Sequence, residues 1–176
     1  MNILLAGFGG QGILFTGKVV TYAGMLNGKE VSWLPSYGPE MRGGTANCSV
    51  CISDGPIGSP LVTAPDVLIA MNLPSLEKFE DSVVPGGLII VDSSIVNEKV
   101  RRKDVKAIYV PATRLASDSG LKGMANMVMA GRFYKETKFC PEDILTEGIK
   151  KSVPARKQEL LDNNLAAVKI GMESRN

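Results

Sequence analysis

Residues 7–12, close to the start of the chain, have the spacing of an anion-binding turn. They read Gly-Phe-Gly-Gly-Gln-Gly and follow the apolar run 3–6. A buried strand that ends in a glycine-rich turn and opens a helix presents backbone N–H groups to a phosphate or carboxylate. The same glycines also suit close packing of the first helix on the sheet without any ligand. The turn therefore predicts either an anion site or a tightly packed crossover.

A second stretch with chemical content is the loop over residues 35–44, which holds two prolines and three glycines. Tyr37 offers a stacking face and a hydroxyl group. Arg42 offers a planar fork that fits a carboxylate or a phosphate. Gly43 and Gly44 allow main-chain N–H groups to approach a ligand closely. These residue types predict a binding loop rather than a spacer.

Turn and loop are expected to be neighbours, because loops that follow the strands of an open α/β sheet gather at its carboxyl edge. The chain has no histidine, so this edge lacks the commonest general base. In sites for NAD or FAD, a carboxylate at the end of the second strand binds the ribose. Here Glu30 stands at the beginning of that strand, which argues against a dinucleotide.

Composition narrows the functional classes. The 20 basic and 18 acidic side chains nearly balance, so nothing in the net charge favours nucleic acid or an anionic membrane. No apolar run approaches the roughly 20 residues of a membrane span, and the first residues do not resemble a signal peptide. We therefore expect a cytoplasmic protein.

The three cysteines are too few for a four-cysteine iron–sulfur site. Cys48 and Cys51 lie three apart in a predicted strand, so their thiols should point to opposite faces and serve no common metal. Cys140 precedes Pro141 at a predicted helix start, where the pKa of a thiol can fall. No base stands nearby in the sequence, so no catalytic role is predicted for this thiol.

The hydrophobic pattern predicts one α/β domain over residues 1–176, with a mostly parallel sheet and helices gathered towards the end. The second strand is expected to end at Pro35. Residues 56–60 are expected to return beside the third strand, and 101–103 to form a solvated turn. The predicted strands are 2–6, 29–34, 45–53, 66–71, 88–91 and 106–110, and the predicted helices are 11–26, 74–79, 113–119, 124–135, 141–151 and 155–172.

Together, residues 7–12, the segment Pro-Ser-Tyr-Gly-Pro-Glu-Met-Arg-Gly-Gly-Thr-Ala-Asn at 35–47 and Ile-Ser-Asp at 52–54 resemble the gamma subunit of 2-oxoacid:ferredoxin oxidoreductases. The likeness covers essentially the full chain, including the helix start at Ala125 and Asn126. The form of the 35–47 segment is more similar to the 2-oxoglutarate and branched-chain members than to the pyruvate members.

This resemblance implies a single-domain, three-layer α/β/α Rossmann-like fold with a mixed, mostly parallel sheet. It implies a complex that decarboxylates a 2-oxoacid oxidatively onto coenzyme A, with 2-oxoglutarate as the leading substrate. Thiamine diphosphate, magnesium and iron–sulfur clusters are then expected on alpha, beta and delta partner subunits, and ferredoxin accepts the electrons. The chain is expected to hold no metal, to supply no catalytic residue and to be inactive alone.

The glycine turn and the loop would contact partner subunits or share in binding coenzyme A. The candidate binding residues are Gly7, Gly9, Gly10, Gln11, Gly12, Tyr37, Gly38, Arg42, Gly43, Gly44 and Thr45. The alternative is a free-standing nucleotide-binding protein that uses the glycine turn directly. Which 2-oxoacid is used, and whether the turn touches a ligand or only protein, stay open at the level of sequence.

Overall fold

The computed structural model describes residues 1–37, 45–154 and 157–175, and within them six strands form one sheet. The strands are β1 (Asn2–Phe8), β2 (Glu30–Tyr37), β3 (Thr45–Ser53), β4 (Val67–Ala70), β5 (Leu88–Asp92) and β6 (Lys106–Val110). Their order across the sheet is β2-β3-β1-β4-β5-β6. β1, β4, β5 and β6 pair in parallel, whereas β3 runs antiparallel to both β1 and β2. The sheet is mixed and mostly parallel, as predicted.

Helices cover both faces of the sheet. They are α1 (Ile13–Leu26), α2 (Leu73–Phe79), α3 (Ala112–Asp118), α4 (Ala125–Thr137), α5 (Glu142–Ser152) and α6 (Gln158–Glu173). A large apolar core joins one face to α1 and α3–α6, and a smaller core joins the other face to α2. This arrangement confirms the three-layer α/β/α prediction. Within the described ranges, no helix combines the length and apolarity needed to cross a bilayer.

The central strands read as apolar runs because both of their faces are covered. Every residue of β4 is buried, and so are the last four residues of β5. Such strands lack the alternation of apolar and polar residues that is typical of a sheet with one solvent-exposed face. In α6, an apolar stripe packs against the larger core through Leu161, Leu165, Val168 and Met172. The hydrophobic pattern therefore located these elements to within a few residues.

Two glycines allow α4 and α6 to touch along their backbones. A Cβ atom added at Gly131 would fall well inside van der Waals contact of the Val168 carbonyl oxygen. A Cβ atom added at Gly171 would meet the Val128 carbonyl oxygen in the same way. Because only glycine lacks this atom, the close approach of the two helices depends on both positions.

Two predictions about the first half of the sheet were wrong. β2 does not end at Pro35 but continues to Tyr37, with Pro35 paired opposite Cys48. Proline is tolerated there because β2 is the edge strand, where one side of the backbone needs no ladder partner. Residues 56–60 form no strand beside β3. Instead, this segment covers the face of β3, where the Ser59 carbonyl accepts from the Cys51 thiol at 3.8 Å.

The sequence predicted that the basic run 101–103 is a solvated turn. In the structure, two of its side chains also form specific contacts. The Nε of Arg101 donates to the buried carboxylate of Glu80 at 2.6 Å. Arg102 donates to the carbonyl oxygens of Glu80 and Val83 and forms a two-pronged pair with Asp104. These arginines therefore fasten the β5–β6 connection onto the end of α2.

Candidate ligand-binding edge of the sheet

The carboxyl ends of five strands meet at one edge of the sheet. Four of them are the parallel strands, and β2 joins them because two antiparallel pairings return it to the direction of β1. The glycine turn at residues 7–12 leaves β1 at this carboxyl edge. The connections after β2, β4, β5 and β6 leave at the same edge, which is where open α/β sheets bind their ligands.

The predicted loop is anchored beside the glycine turn at both of its described ends. Tyr37 is the register partner of Ala46, and Ala46 is the register partner of Gly7. The backbone that enters the loop thus lies two strands from the turn, and the backbone that leaves it lies one strand away. Of the predicted site residues, Gly38, Arg42, Gly43 and Gly44 lie outside the described part of the chain, and Tyr37 and Thr45 are placed as backbone at strand ends. Their role in binding stays a prediction.

Each described glycine of the turn has its own environment. Gly7 is buried, and a Cβ there would approach the Gln11 side-chain oxygen to 2.6 Å. Gly12 has φ +76°, and its Cβ would stand 2.5 Å from the Asn126 amide nitrogen. Gly10 has φ +91° and is exposed, and no described residue lies within 4 Å of where its Cβ would be. Gly9, which precedes it, is half-buried. Packing explains Gly7 and Gly12, whereas at Gly10 the backbone is open to close approach from outside.

Gln11 was predicted as a binding residue, but its side-chain amide is already engaged within the chain. Its Oε1 accepts the Phe8 N–H at 2.6 Å, and its Nε2 donates to the Met71 carbonyl at 2.9 Å. Phe8 ends β1, and Met71 follows β4. The side chain therefore ties the turn to the neighbouring strand, across the point where the strand order reverses. Gln11 positions the turn through these two bonds, and its role in binding a ligand stays a prediction.

We expect Gln11→Glu to lower the free energy of unfolding by about 2–3 kcal/mol at pH 7, because an oxygen would replace the donor facing the Met71 carbonyl. The folded state then favours the protonated carboxyl, so its folded pKa lies above the ordinary value of about 4.3. The deficit should therefore be absent below about pH 4 and grow as pH rises through the folded pKa. Urea unfolding between pH 3.5 and 8 measures it.

The matched control is Gln158→Glu, since Gln158 is exposed at the start of α6. This change should stay within about 0.5 kcal/mol of the parent chain at all pH values. An equal loss in both variants, or a deficit that does not change with pH, would contradict the role given to Gln11.

Asn126 holds the other side of the turn. Its Nδ2 donates to the Gly12 carbonyl at 3.3 Å and to the Thr16 hydroxyl at 3.1 Å. The Thr16 hydroxyl donates in return to the Asn126 carbonyl at 3.4 Å. The sequence marked Asn126 only as part of the resemblance, because its partner lies 114 positions away in the chain. The turn is thus fixed by α4 on one side and by β4 on the other.

The strand order supplies a further argument against a dinucleotide site. β3 lies between β1 and β2, so the end of β2 is two strand spacings from the glycine turn, or roughly 10 Å. In dinucleotide-binding sheets these two strands are direct neighbours. Glu30 begins β2, at the opposite edge of the sheet, as the sequence indicated. A carboxylate placed after β2 would stand one strand too far from the turn.

Comparison with known proteins identifies the family. Residues 2–174 match the model of the family described as pyruvate ferredoxin/flavodoxin oxidoreductase. The chain belongs to this family. The match confirms the resemblance drawn from residues 7–12 and 35–47.

Two relatives differ in the share of their length that the chain matches. The ketoisovalerate oxidoreductase subunit VorA of Methanothermobacter thermautotrophicus is 40% identical over 174 residues, covering 98% of this chain and 36% of the relative. The chain thus spans about a third of that protein. The 2-oxoglutarate synthase subunit KorC of Methanocaldococcus jannaschii is 37% identical over 175 residues, covering 98% of this chain and 92% of the relative.

Two solved structures share the fold. The gamma subunit of a keto/oxoacid ferredoxin oxidoreductase from Geobacter sulfurreducens has a TM-score of 0.84 and 26% identity, with 98% of this chain and 96% of that one covered. A 2-oxoglutarate:ferredoxin oxidoreductase from Magnetococcus marinus, with 2-oxoglutarate, coenzyme A and succinyl-CoA bound, has a TM-score of 0.86 and 25% identity. It is covered over 30% of its chain, against 98% of this one.

The cysteines of this family member lie away from the carboxyl edge or inside the core. Cys48 faces α1, where its thiol contacts the Ile13 carbonyl, and Cys51 faces the opposite side. The position of Cys140 at a helix start, where a thiol pKa can fall, does not lower its pKa. Burial raises its pKa to about 11, with a smaller contribution from Asp143. Burial likewise raises the pKa of Cys48 to about 12. In the described part of the chain, no group of His, Cys, Asp and Glu side chains is arranged to hold a metal ion.

We expect none of the three thiols to react readily with Ellman's reagent in the native chain at pH 7.5. All three are buried, and a pKa near 11 lowers the thiolate fraction of Cys140 by about 100-fold relative to a free cysteine. Stopped-flow absorbance should show release of the reagent's coloured thiolate only after guanidinium unfolding. Three equivalents per chain should then appear, one for each cysteine. Fast labelling of one thiol in the native chain would show that its surroundings open.

Proposed function

We propose that this chain is the gamma subunit of a 2-oxoacid:ferredoxin oxidoreductase, and that residues 1–176 act in it as one domain. The observation that carries the proposal is the match to the Geobacter gamma subunit over nearly the full length of both chains. The carboxyl edge is consistent with such a subunit. Its glycine turn is held by Gln11 and Asn126, so it offers backbone groups and no acid–base pair.

The proposed reaction is oxidative decarboxylation of a 2-oxoacid to the acyl-CoA, with the electrons passed to ferredoxin. Thiamine diphosphate, magnesium and iron–sulfur clusters belong to alpha, beta and delta partner subunits in this proposal. The assembly is placed in the cytoplasm, without nucleic acid or membrane as a partner. The role of this chain is to complete the subunit interface and to contribute to binding coenzyme A.

We place the coenzyme A contact at the glycine turn and the 37–45 loop. Gly10 supports this placement, because its backbone is exposed and no residue in the described part of the chain occupies the space where a side chain would be. Arg42 supplies a fork for phosphate or carboxylate, and Gly43 and Gly44 supply N–H groups free of side chains. The Magnetococcus relative of similar fold contains coenzyme A. The partner subunits would approach from the same edge.

2-Oxoglutarate is the proposed substrate, and the branched-chain acid 2-oxoisovalerate is its main competitor. The KorC relative matched over most of its length is named for 2-oxoglutarate synthesis, which supports the first. The VorA relative is named for ketoisovalerate, so 2-oxoisovalerate is included in the test as the competing substrate. Residues that select the acid are expected on the subunits that hold thiamine diphosphate.

The test is reconstitution with alpha, beta and delta subunits, followed by reduction of a viologen dye. Turnover should require this chain, a 2-oxoacid and coenzyme A together, with the highest kcat/KM for 2-oxoglutarate. Full activity without the chain would overturn the proposal. Tight calorimetric binding of NAD(P) or FAD to the chain alone would favour the free-standing nucleotide-binding alternative. A higher kcat/KM for 2-oxoisovalerate would correct the substrate alone.

The coenzyme A contact has its own measurement in the same assembly. Arg42→Gln should raise the KM for coenzyme A by about tenfold, since one charge-assisted bond to phosphate is removed, while kcat changes little. Lys122→Gln is the control, because Lys122 is exposed between α3 and α4 and carries the same charge. An unchanged KM in the Arg42 variant would move the contact away from this loop.

A further inference from the structure

A second basic feature lies at the same carboxyl edge, on the far side from the glycine turn. It is a pocket of about 600 Å³ between the connection after β5, the strand β6 and the start of α3. Its polar lining comes from Ser93, Ser94, Lys99, Tyr109, Arg114 and Arg175. We refer to these six residues as the basic pocket. None of them was singled out by the sequence, because they come from four separate segments.

The three cations of the basic pocket differ from Arg101 and Arg102 in forming no ion pair within the described part of the chain. Arg101 and Arg102 of the same connection pair with Glu80 and Asp104. Among the described residues, no ion pair forms at Lys99, Arg114 or Arg175. Three cations in one concave site, with no ion pair to a described residue, attract an anion.

The carboxylate of Asp92, which precedes Ser93 in the chain, forms no ion pair with Lys99, Arg114 or Arg175. Asp92 is fully buried at the end of β5. Its Oδ1 accepts the N–H groups of Ser94 and Thr113, and its Oδ2 accepts the Thr113 hydroxyl at 2.6 Å. The carboxylate is thus directed into the turn and the start of α3. Glu98 lines the groove on the other side of Lys99, and the Lys99 nitrogen stands over the Tyr109 ring instead.

The basic pocket is also held in place by its own chain. The Lys99 nitrogen lies 4.0 Å from the centre of the Tyr109 ring, and the Tyr109 hydroxyl accepts the Val100 N–H at 2.9 Å. The Arg114 N–H donates to the Ser94 hydroxyl at 3.0 Å. The carbonyl of Ser174, which precedes Arg175, accepts from Arg132 and Lys135, both at 2.9 Å. A ligand therefore meets cations on a fixed frame rather than on free loops.

We propose that the basic pocket binds a phosphate group of a nucleotide-type ligand. Two guanidinium groups, one ammonium and two serine hydroxyls match the several acceptor oxygens of a phosphate ester better than they match a single carboxylate. The pocket lies two to three strand spacings from β1, or about 10–14 Å. One extended ligand can therefore reach both the pocket and the glycine turn. The proposed function enters only in naming coenzyme A as the carrier of this phosphate.

The experiment is calorimetric titration of the full chain with coenzyme A, 3′-dephospho-coenzyme A, ADP and inorganic phosphate. The double variant Lys99→Gln with Arg114→Gln should weaken binding of the phosphate-bearing probes by tenfold or more and flatten its dependence on salt. The control is Lys103→Gln with Lys122→Gln, two exposed lysines outside the pocket. Equal thermal midpoints for both double variants would show that folding is unaffected.

The four probes identify the source of the phosphate. Binding of coenzyme A but not of its 3′-dephospho form assigns the pocket to the ribose phosphate, and equal binding of both assigns it to the diphosphate. Binding of ADP or inorganic phosphate alone, lost in the pocket variant, supports the site without coenzyme A as carrier. This result is separable from the proposed function, which rests on reconstituted turnover.

Three outcomes would overturn the inference. The first is no binding of any phosphate probe at about 10 mM. The second is an equal loss in the pocket variant and the control variant, which would indicate general charge attraction. The third is binding of a polyglutamate peptide with no response to the phosphate probes, which would assign the surface to an acidic protein partner.

Discussion

Gly171→Ala is expected to lower the free energy of unfolding by about 3 kcal/mol, although alanine is the better helix former by about 1 kcal/mol. The added methyl group would meet the Val128 carbonyl oxygen of α4, well inside van der Waals contact. Backbone cannot rotate away as a side chain can, so the two helices must separate and the core between them must open. Urea unfolding, with the midpoint compared at constant slope, measures the loss.

Gly131→Ala should cause a loss of similar size, because its methyl group would meet the Val168 carbonyl oxygen from the other helix. Gly58→Ala is the control, since Gly58 is exposed and nothing lies within 4 Å of its added Cβ. That variant should stay within about 0.5 kcal/mol of the parent chain. Stabilisation by Gly171→Ala would mean that α4 and α6 are farther apart in solution.

The hydrophobic pattern was sufficient for most of the fold because most elements bury a regular stripe. Strand β6 was predicted with its observed bounds, and α6 was predicted over 155–172 and observed over Gln158–Glu173. The error at Pro35 has a topological cause. Proline is excluded from central strands but tolerated in edge strands. The sequence does not tell that β2 is an edge strand, which the structure shows. The order of the strands decides whether proline is tolerated in β2, and the local sequence does not reveal that order.

The candidate site was predictable where it is continuous in sequence and not where it is assembled. The glycines of residues 7–12 predict a turn. The hydrogen bonds that hold this turn come from Asn126 and Met71, which lie 60 positions or more away in the chain. Cys140 shows the same limit, because its expected thiol pKa ignored burial, which reverses the direction of the shift. The basic pocket draws one to three residues from each of four segments. No spacing rule detects such a set.

Gly12→Ala should be the most damaging single change in the glycine turn, with a loss of about 3 kcal/mol in the free energy of unfolding. Two effects add: φ +76° costs a side chain about 1–2 kcal/mol, and the methyl group would stand 2.5 Å from the Asn126 amide nitrogen. Gly10→Ala has the first effect without the second, since none of the described residues lies within 4 Å of its Cβ. It should lose only about 1–2 kcal/mol. Urea unfolding of both variants isolates the clash.

A double substitution tests the assigned contact itself. Combining Gly12→Ala with Asn126→Ala removes the atoms that collide, so the combined loss should be smaller than the sum of the two single losses by about 1 kcal/mol. Strict additivity would show that Asn126 does not limit the space at Gly12. In the reconstituted complex, substitution of Gly10 and substitution of Gly12 should have different effects. Gly10→Ala should leave the assembly intact and raise the KM for coenzyme A, because its methyl group projects from the open backbone where the ligand is proposed to approach. Gly12→Ala should reduce the amount of assembled complex, because it disturbs the turn that α4 holds in place.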